Sequence, residues 1–181
     1  MLFRSETDIN DYLRFLETLK NRKKIETYEP IKKGNGKQVY KINNSHIVKI
    51  LRSRGQDGNS RFSENYRFSL SKTGGNQLSK HGPHGPIDAV IMMLQNPNHF
   101  VCIPRPFLIE SLFNKILLDN SNRQWQFQVS RVEKDNTLVL RCIRNKRNEQ
   151  TIFDISNYEN NLVFNNRKVK KPALISLDDL H

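Results

Sequence analysis

Apolar residues recur along this chain with two different periods. Ile9, Tyr12, Leu13, Leu16 and Leu19 follow the three-and-four spacing of a helix. Ser5 or Thr7 can cap its start, and Asp8 falls where the helix dipole favours an anion. A helix over 7–21 is predicted, ending in the basic run Lys20-Asn21-Arg22-Lys23-Lys24. The segments 37–42 and 46–51 then read as strands joined at Asn43-Asn44-Ser45, where Asn tolerates positive φ. Tyr66, Phe68 and Leu70 alternate with Arg67, Ser69 and Ser71, the pattern of a half-buried strand. Residues 87–94 and 100–103 are apolar runs joined at Asn96-Pro97-Asn98, with Pro104 closing the second. A second helix is predicted over 106–118, with Pro106 in its first turn. Trp125, Phe127 and Val129 alternate with three glutamines, a turn at Asp135-Asn136 leads into 138–140, and 151–155 is a last strand.

These elements predict an α+β, mostly β fold: a curved sheet or open pseudobarrel of about eight strands with two short helices. Residues 1–164 are expected to form one domain and 165–181 a basic, then polar, tail. Of 181 residues, 36% are hydrophobic and the mean hydropathy is −0.70. The longest apolar run is far shorter than a membrane span, and the first residues lack the basic-then-apolar build of a signal peptide. Two cysteines, Cys102 and Cys142, are too few for a disulfide framework. A cytoplasmic location is expected.

Charge changes the picture most. The chain carries 30 Lys and Arg against 18 Asp and Glu, a formal +12. Residues 20–80 hold fifteen of the cations and four of the anions, so one third of the sequence carries nearly all of the excess. That concentration points to a polyanion, because each cation that neutralises a phosphate releases condensed counterions. The same charge on a solvated face with no partner is the bland alternative.

Two polar loops have the donor and acceptor chemistry that reads base edges, Arg for guanine and Asn or Gln for adenine. Loop 52–61 offers Arg52, Arg54, Gln56, Asn59 and Arg61; loop 72–80 offers Lys72, Asn76, Gln77 and Lys80, with Gly74 and Gly75 for close approach. Both bracket one strand and are expected as two arms on one groove. Lys33 and Lys37, in the loop 32–37, add phosphate contacts. That loop lacks the Gly-Lys-Ser/Thr ending of a nucleotide-binding loop. Double-stranded DNA is the expected partner. RNA is the rival, with Phe62 and Tyr66 between Arg61 and Arg67 as stacking candidates, and a protein-bridging role is a further alternative. The oligomeric state is left open.

Catalysis finds little support. No Asp or Glu is followed two positions later by Lys, as metal-dependent nucleases of the PD-(D/E)xK class require. His81 and His84 could join Cys102 around zinc, but paired histidines in a Gly/Pro loop are more often plain surface. No cofactor is expected; Mg2+ enters only with a diverged metal-dependent restriction or homing endonuclease as the alternative.

Two stretches carry a resemblance. Thr73-Gly74-Gly75-Asn76-Gln77 resembles a Gly-Gly-x-Gln segment of the B3-like DNA-recognition domains of type II restriction endonucleases. The segment from Ile103-Pro104-Arg105-Pro106-Phe107 to Phe113 resembles their strand-Ile-Pro-helix segment. The resemblance implies a pseudobarrel that grips the major groove with two loop arms, Asn76 and Gln77 among the arm residues. A competing resemblance, over 66–70, 88–94 and 100–104, is to the later half of the PD-(D/E)xK fold, here without its catalytic acids. Both imply DNA handling of the restriction type.

Overall fold

Two kinds of strand in this sequence build two kinds of sheet. The computed structural model describes residues 6–31, 39–53, 61–71, 87–94, 98–108, 124–142, 152–164 and 174–176. Within them, α1 (Glu6–Asn21) precedes β1 (Tyr28–Pro30), β2 (Val39–Ile42), β3 (His46–Arg52), β4 (Phe62–Ser71), β5 (Ala89–Met93) and β6 (Phe100–Pro104). A short helix, α2 (Arg105–Leu108), leads on to β7 (Gln124–Val132), β8 (Leu138–Cys142), β9 (Ile152–Asp154), a 3-10 turn (Ser156–Tyr158) and β10 (Leu174–Ile175).

The first sheet has the order β1-β2-β3-β5-β6, with β3 and β5 parallel and the other neighbours antiparallel. The second has the order β10-β9-β8-β7-β4 and is antiparallel throughout. The fold is therefore α+β and mostly β. Eight of its strands coincide with segments predicted from sequence. The other two, β1 and β10, are edge strands of three and two residues, too short to show a period. Leu174 and Ile175, within the span read as a tail, pair with Phe153 and Ile152 of β9. The second predicted helix is described only over Arg105–Leu108; the rest of 106–118 lies outside the described residues.

The first sheet is apolar on both faces, as its uninterrupted runs require. Every residue of β5 and β6 is buried. Tyr40, Ile42, Val48, Ile50, Ile91 and Cys102 face α1, which contributes Tyr12, Phe15, Leu16 and Leu19. Val39, Leu51, Val90, Met92, Val101 and Ile103 face the second sheet, which answers with Tyr66, Phe68, Leu70, Phe127, Val129, Leu138 and Leu140. The second sheet alternates because only its inner face meets this core. The result is three layers: α1, the first sheet, the second sheet. Each fully buried large side chain contributes roughly 1.5–3 kcal/mol.

Local chemistry fixes the connections. Asn43 and Asn44 both take positive φ, as the two central residues of a type I′ hairpin between β2 and β3 must. The Asn43 side chain then accepts the Glu26 N–H at 2.7 Å and the Thr27 N–H at 3.3 Å, tying the chain after α1 to the turn. Residues 158–164 cross from the second sheet to the first. Glu159 bridges Val101, the Asn160 N–H donates to the Phe100 carbonyl at 2.8 Å, and the Cys102 thiol donates to the Val163 carbonyl at 3.3 Å. This segment covers the outer edge of β6, which would otherwise be open for pairing.

Burial pushes the Cys102 thiol up to about 12, the Val163 carbonyl only partly opposing it. A thiol held protonated there is a poor nucleophile. Alkylation of the native protein near pH 8, followed by peptide mapping, should leave Cys102 unmodified until the protein is unfolded. Rapid labelling of Cys102 in the native state would contradict its place in the core.

Candidate nucleic-acid interface

Pairing register decides which side chains of the second sheet lie on its outer face, where Asn65 and Ser130 are nonetheless buried, at 6% and 0% exposed. Tyr66, Phe68, Phe127 and Val129 point inward, so Asn65, Arg67, Ser69, Gln126, Gln128 and Ser130 project from the outer face. In β8 the outward positions are Val139 and Arg141. Arg67 stands opposite Gln128, and Gln128 opposite Arg141, so the three form one row across β4, β7 and β8. A bulge between Phe62 and Glu64 turns Phe62 to this outer face, beside Val132, Val139 and Ile152.

Arg141 is the centre of the polar network on this face. Its Nε donates to Ser130 Oγ at 3.1 Å. Its Nη2 donates to Asn65 Oδ1 at 3.1 Å and to Gln128 Oε1. Ser130 Oγ in turn donates to Asn65 Oδ1 at 2.6 Å. The guanidinium lies over the Phe62 ring, 3.9 Å from its centroid, a cation–π contact that fixes its plane. Among the described residues every acceptor of Arg141 is neutral. Burial, then repulsion from Arg61 and Arg67, pushes the guanidinium down to about 10, so it remains charged at neutral pH.

The opposite face of the same sheet holds an arginine in the reverse condition. Arg131 points inward at one end of the sandwich, its side chain 12% exposed. Its Nε donates to Glu64 Oε2 at 3.2 Å, and its two Nη groups engage both oxygens of Glu159. His99 Nε2 lies 2.6 Å from Glu159 Oε1. Burial works against ionisation of Glu159, but Arg131 and His99 outweigh it and hold the carboxyl below the usual range. These acids are committed to a cation, and this is a structural ion cluster joining the sheets. Among the described residues no group of three His, Cys, Asp or Glu side chains is arranged to hold a metal ion. His46 stacks on Phe164, ring centroids 4.3 Å apart, with its Nδ1 3.8 Å from Asp88. Asp88 itself accepts the Ile47 N–H at 2.9 Å.

Of the residues the sequence nominated for DNA, Arg52 and Arg61 are described. Arg52 Nη1 lies 2.6 Å from Asp11 Oδ2 and ties the end of β3 to α1. Arg61 stands at the start of β4 near Arg141, its carbonyl accepting the Glu133 N–H at 3.0 Å. Lys33, Lys37, Arg54, Gln56, Asn59, Lys72, Asn76, Gln77 and Lys80 lie outside the described residues, as do His81 and His84. Loop 52–61 enters β4 at one end and loop 72–80 follows its other end, with all ten residues of the strand between them. An extended strand of that length spans about 30 Å. Residues 54–60 and 72–80 of these loops lie outside the described residues.

The charge of residues 20–80 is also divided in space. Lys20, Arg22, Lys23 and Lys24 are exposed at the end of α1, on one outer layer, while Arg67 is exposed on the other. Lys49, 8% exposed, lies in register with Val39 and Val90 of the inter-sheet core. Two sheets, packed roughly 10 Å apart, separate the cations of α1 from those of β4. The stacking candidates Phe62 and Tyr66 are 3% and 1% exposed and offer no face to a base. Arg141 lies outside the basic segment, and composition does not nominate it. The alternation of Val139 and Arg141 with Leu138 and Leu140 is its one signal in the sequence. No described helix is long and apolar enough to cross a membrane. No family model, curated protein or solved structure matches this chain.

Proposed function

We propose that this chain is a double-stranded DNA-binding domain of restriction or mobile-element type, acting in the cytoplasm. The single observation that carries the reading is the cationic excess of the chain as a whole, 30 Lys and Arg against 18 Asp and Glu. The outer face of the second sheet supports it, with Arg61 and Arg67 at the edge strand beside Asn, Gln and Ser side chains. Burial of Phe62 and Tyr66 takes these two rings away from base stacking, which favours duplex DNA over single-stranded RNA. The loops 52–61 and 72–80, which bracket β4, supply the Arg, Asn and Gln side chains that would read base edges.

Binding of a random-sequence duplex, followed by fluorescence anisotropy in EDTA, tests the reading. Affinity should fall linearly in a log–log plot against salt, by roughly 10³-fold or more between about 50 and 200 mM if six or more phosphates are neutralised. Failure to bind duplex DNA at the lower salt overturns it. Cleavage of plasmid in Mg2+ or Mn2+ would instead make the chain a metal-dependent endonuclease.

A further inference from the structure

We propose that the turn closing α1, with Lys20, Arg22, Lys23 and Lys24, is a surface that takes backbone phosphates of a DNA duplex. The proposal rests on the duplex-binding reading and names the face that meets the duplex.

The backbone at the end of α1 caps itself. The Lys24 N–H donates to the Leu19 carbonyl and the Lys23 N–H to the Lys20 carbonyl, both at 2.9 Å, the paired bonds of a Schellman motif. That motif needs a left-handed residue, and Lys23 supplies it with φ 56°. Glycine is usual there, because a Cβ crowds the following carbonyl in that region. The other described non-glycine residues with positive φ are Asn43, Asn44, Asn136 and Asn160, all of a type whose short side chain eases the conformation by local hydrogen bonding. Lys23 has no such relief. Strain retained at one position points to a use for its side chain, and here the side chain offers a cation. The turn is anchored at both ends, since Leu19 and Ile25, each 3% exposed, are buried between α1 and the first sheet. Between these anchors Lys20, Arg22, Lys23 and Lys24 are all exposed. Among the described residues none of the four side chains has an ion-pair or hydrogen-bond partner. Two acids of α1 are engaged elsewhere, Asp11 with Arg52 and Glu17 with the Tyr28 hydroxyl. Cations near a helix C-terminus also suit its dipole, but the dipole does not require a side chain at the strained position. A lipid surface would call for large apolar side chains beside the cations. The described residues expose Leu13 alone of that kind, in the middle of α1 rather than in this turn.

Three variants of the full chain test this, Lys23→Gly, Arg22→Gln and Lys24→Gln. Each is melted, and each is titrated with a random-sequence duplex in EDTA over a range of salt. Lys23→Gly should raise Tm by about 2–4 °C, because glycine adopts the left-handed region without steric cost. It should nonetheless bind duplex about tenfold more weakly near 0.1 M salt, with the log–log salt slope reduced by about one, the signature of one lost phosphate contact. Arg22→Gln and Lys24→Gln should show the same losses of affinity and slope without the gain in Tm. Stability and affinity moving in opposite directions at position 23 is a result that a purely structural cation would not give. Wild-type affinity and slope in all three variants, whatever their Tm, overturns the site and leaves the domain a DNA binder through another face. A wild-type protein that binds no duplex overturns this proposal and the functional reading together. Binding to phosphatidylserine vesicles in such a protein, lost in Lys23→Gly, overturns the duplex contact in favour of an anionic lipid surface.

Discussion

Phe15→Ala should cost about 3–5 kcal/mol of folding stability, read as a lower urea midpoint with little change in m. The side chain has no exposed surface and meets Phe100 edge-on, ring centroids 5.3 Å apart at 74°. It lies among Tyr12, Leu16, Ile50 and Ile91 at the seam between α1 and the first sheet. A sixteen-residue helix is marginal by itself, so this seam is what keeps α1 helical. Removing this ring leaves a cavity between the helix and the sheet. For a domain stabilised by about 5–15 kcal/mol in total, the loss is a large fraction. A change below about 1 kcal/mol would mean that α1 is not a packed layer of the fold.

Arg131→Met should cost a comparable amount, about 3–5 kcal/mol, for an electrostatic reason. Glu64 and Glu159 would stay in place, their side chains 28% and 24% exposed, without the guanidinium between them. The pH dependence follows from the sign of the Glu159 shift. Its carboxyl titrates below the usual range in the folded protein, so its contribution is present above the unfolded value of 4.5 and is lost as pH falls through the folded value. In Arg131→Met the Arg131 share of that contribution is lost, His99 alone still facing Glu159, and protonation relieves the like charges, so the variant should lose less stability than the wild type on acidification from neutral pH. Adding Glu159→Gln should recover part of the loss. Additive effects of the two substitutions in a double-mutant cycle would show that the pair is not coupled.

The two arginines of the second sheet show what could be read from the chain and what could not. Arg131 and Arg141 have similar sequence surroundings, each next to a valine, leucine or serine on a strand. Strand parity sends one inward, to two carboxylates from sequence positions 64 and 159, and the other outward, onto Phe62 and a set of neutral acceptors. Parity is visible in the alternation of Leu138 and Leu140, but partners are not, because they arrive from strands far apart in sequence. The Asn43-Asn44 turn was legible because its requirement, positive φ, is local.

Hydrophobic period and local turn chemistry, both properties of neighbouring residues, were enough to determine α1, eight strands and the mostly β class of this protein, and counting charges was enough to place its cationic excess. Tertiary structure alone decided that those strands form two sheets under one helix and that the described cations of residues 20–80 lie on opposite layers. It alone decided that Arg141 sits near Arg61 and Arg67 with no carboxylate partner among the described residues. Which side chains share a face depends on strand register and sheet order, and these are set by burial of the whole apolar pattern at once rather than by any segment of it.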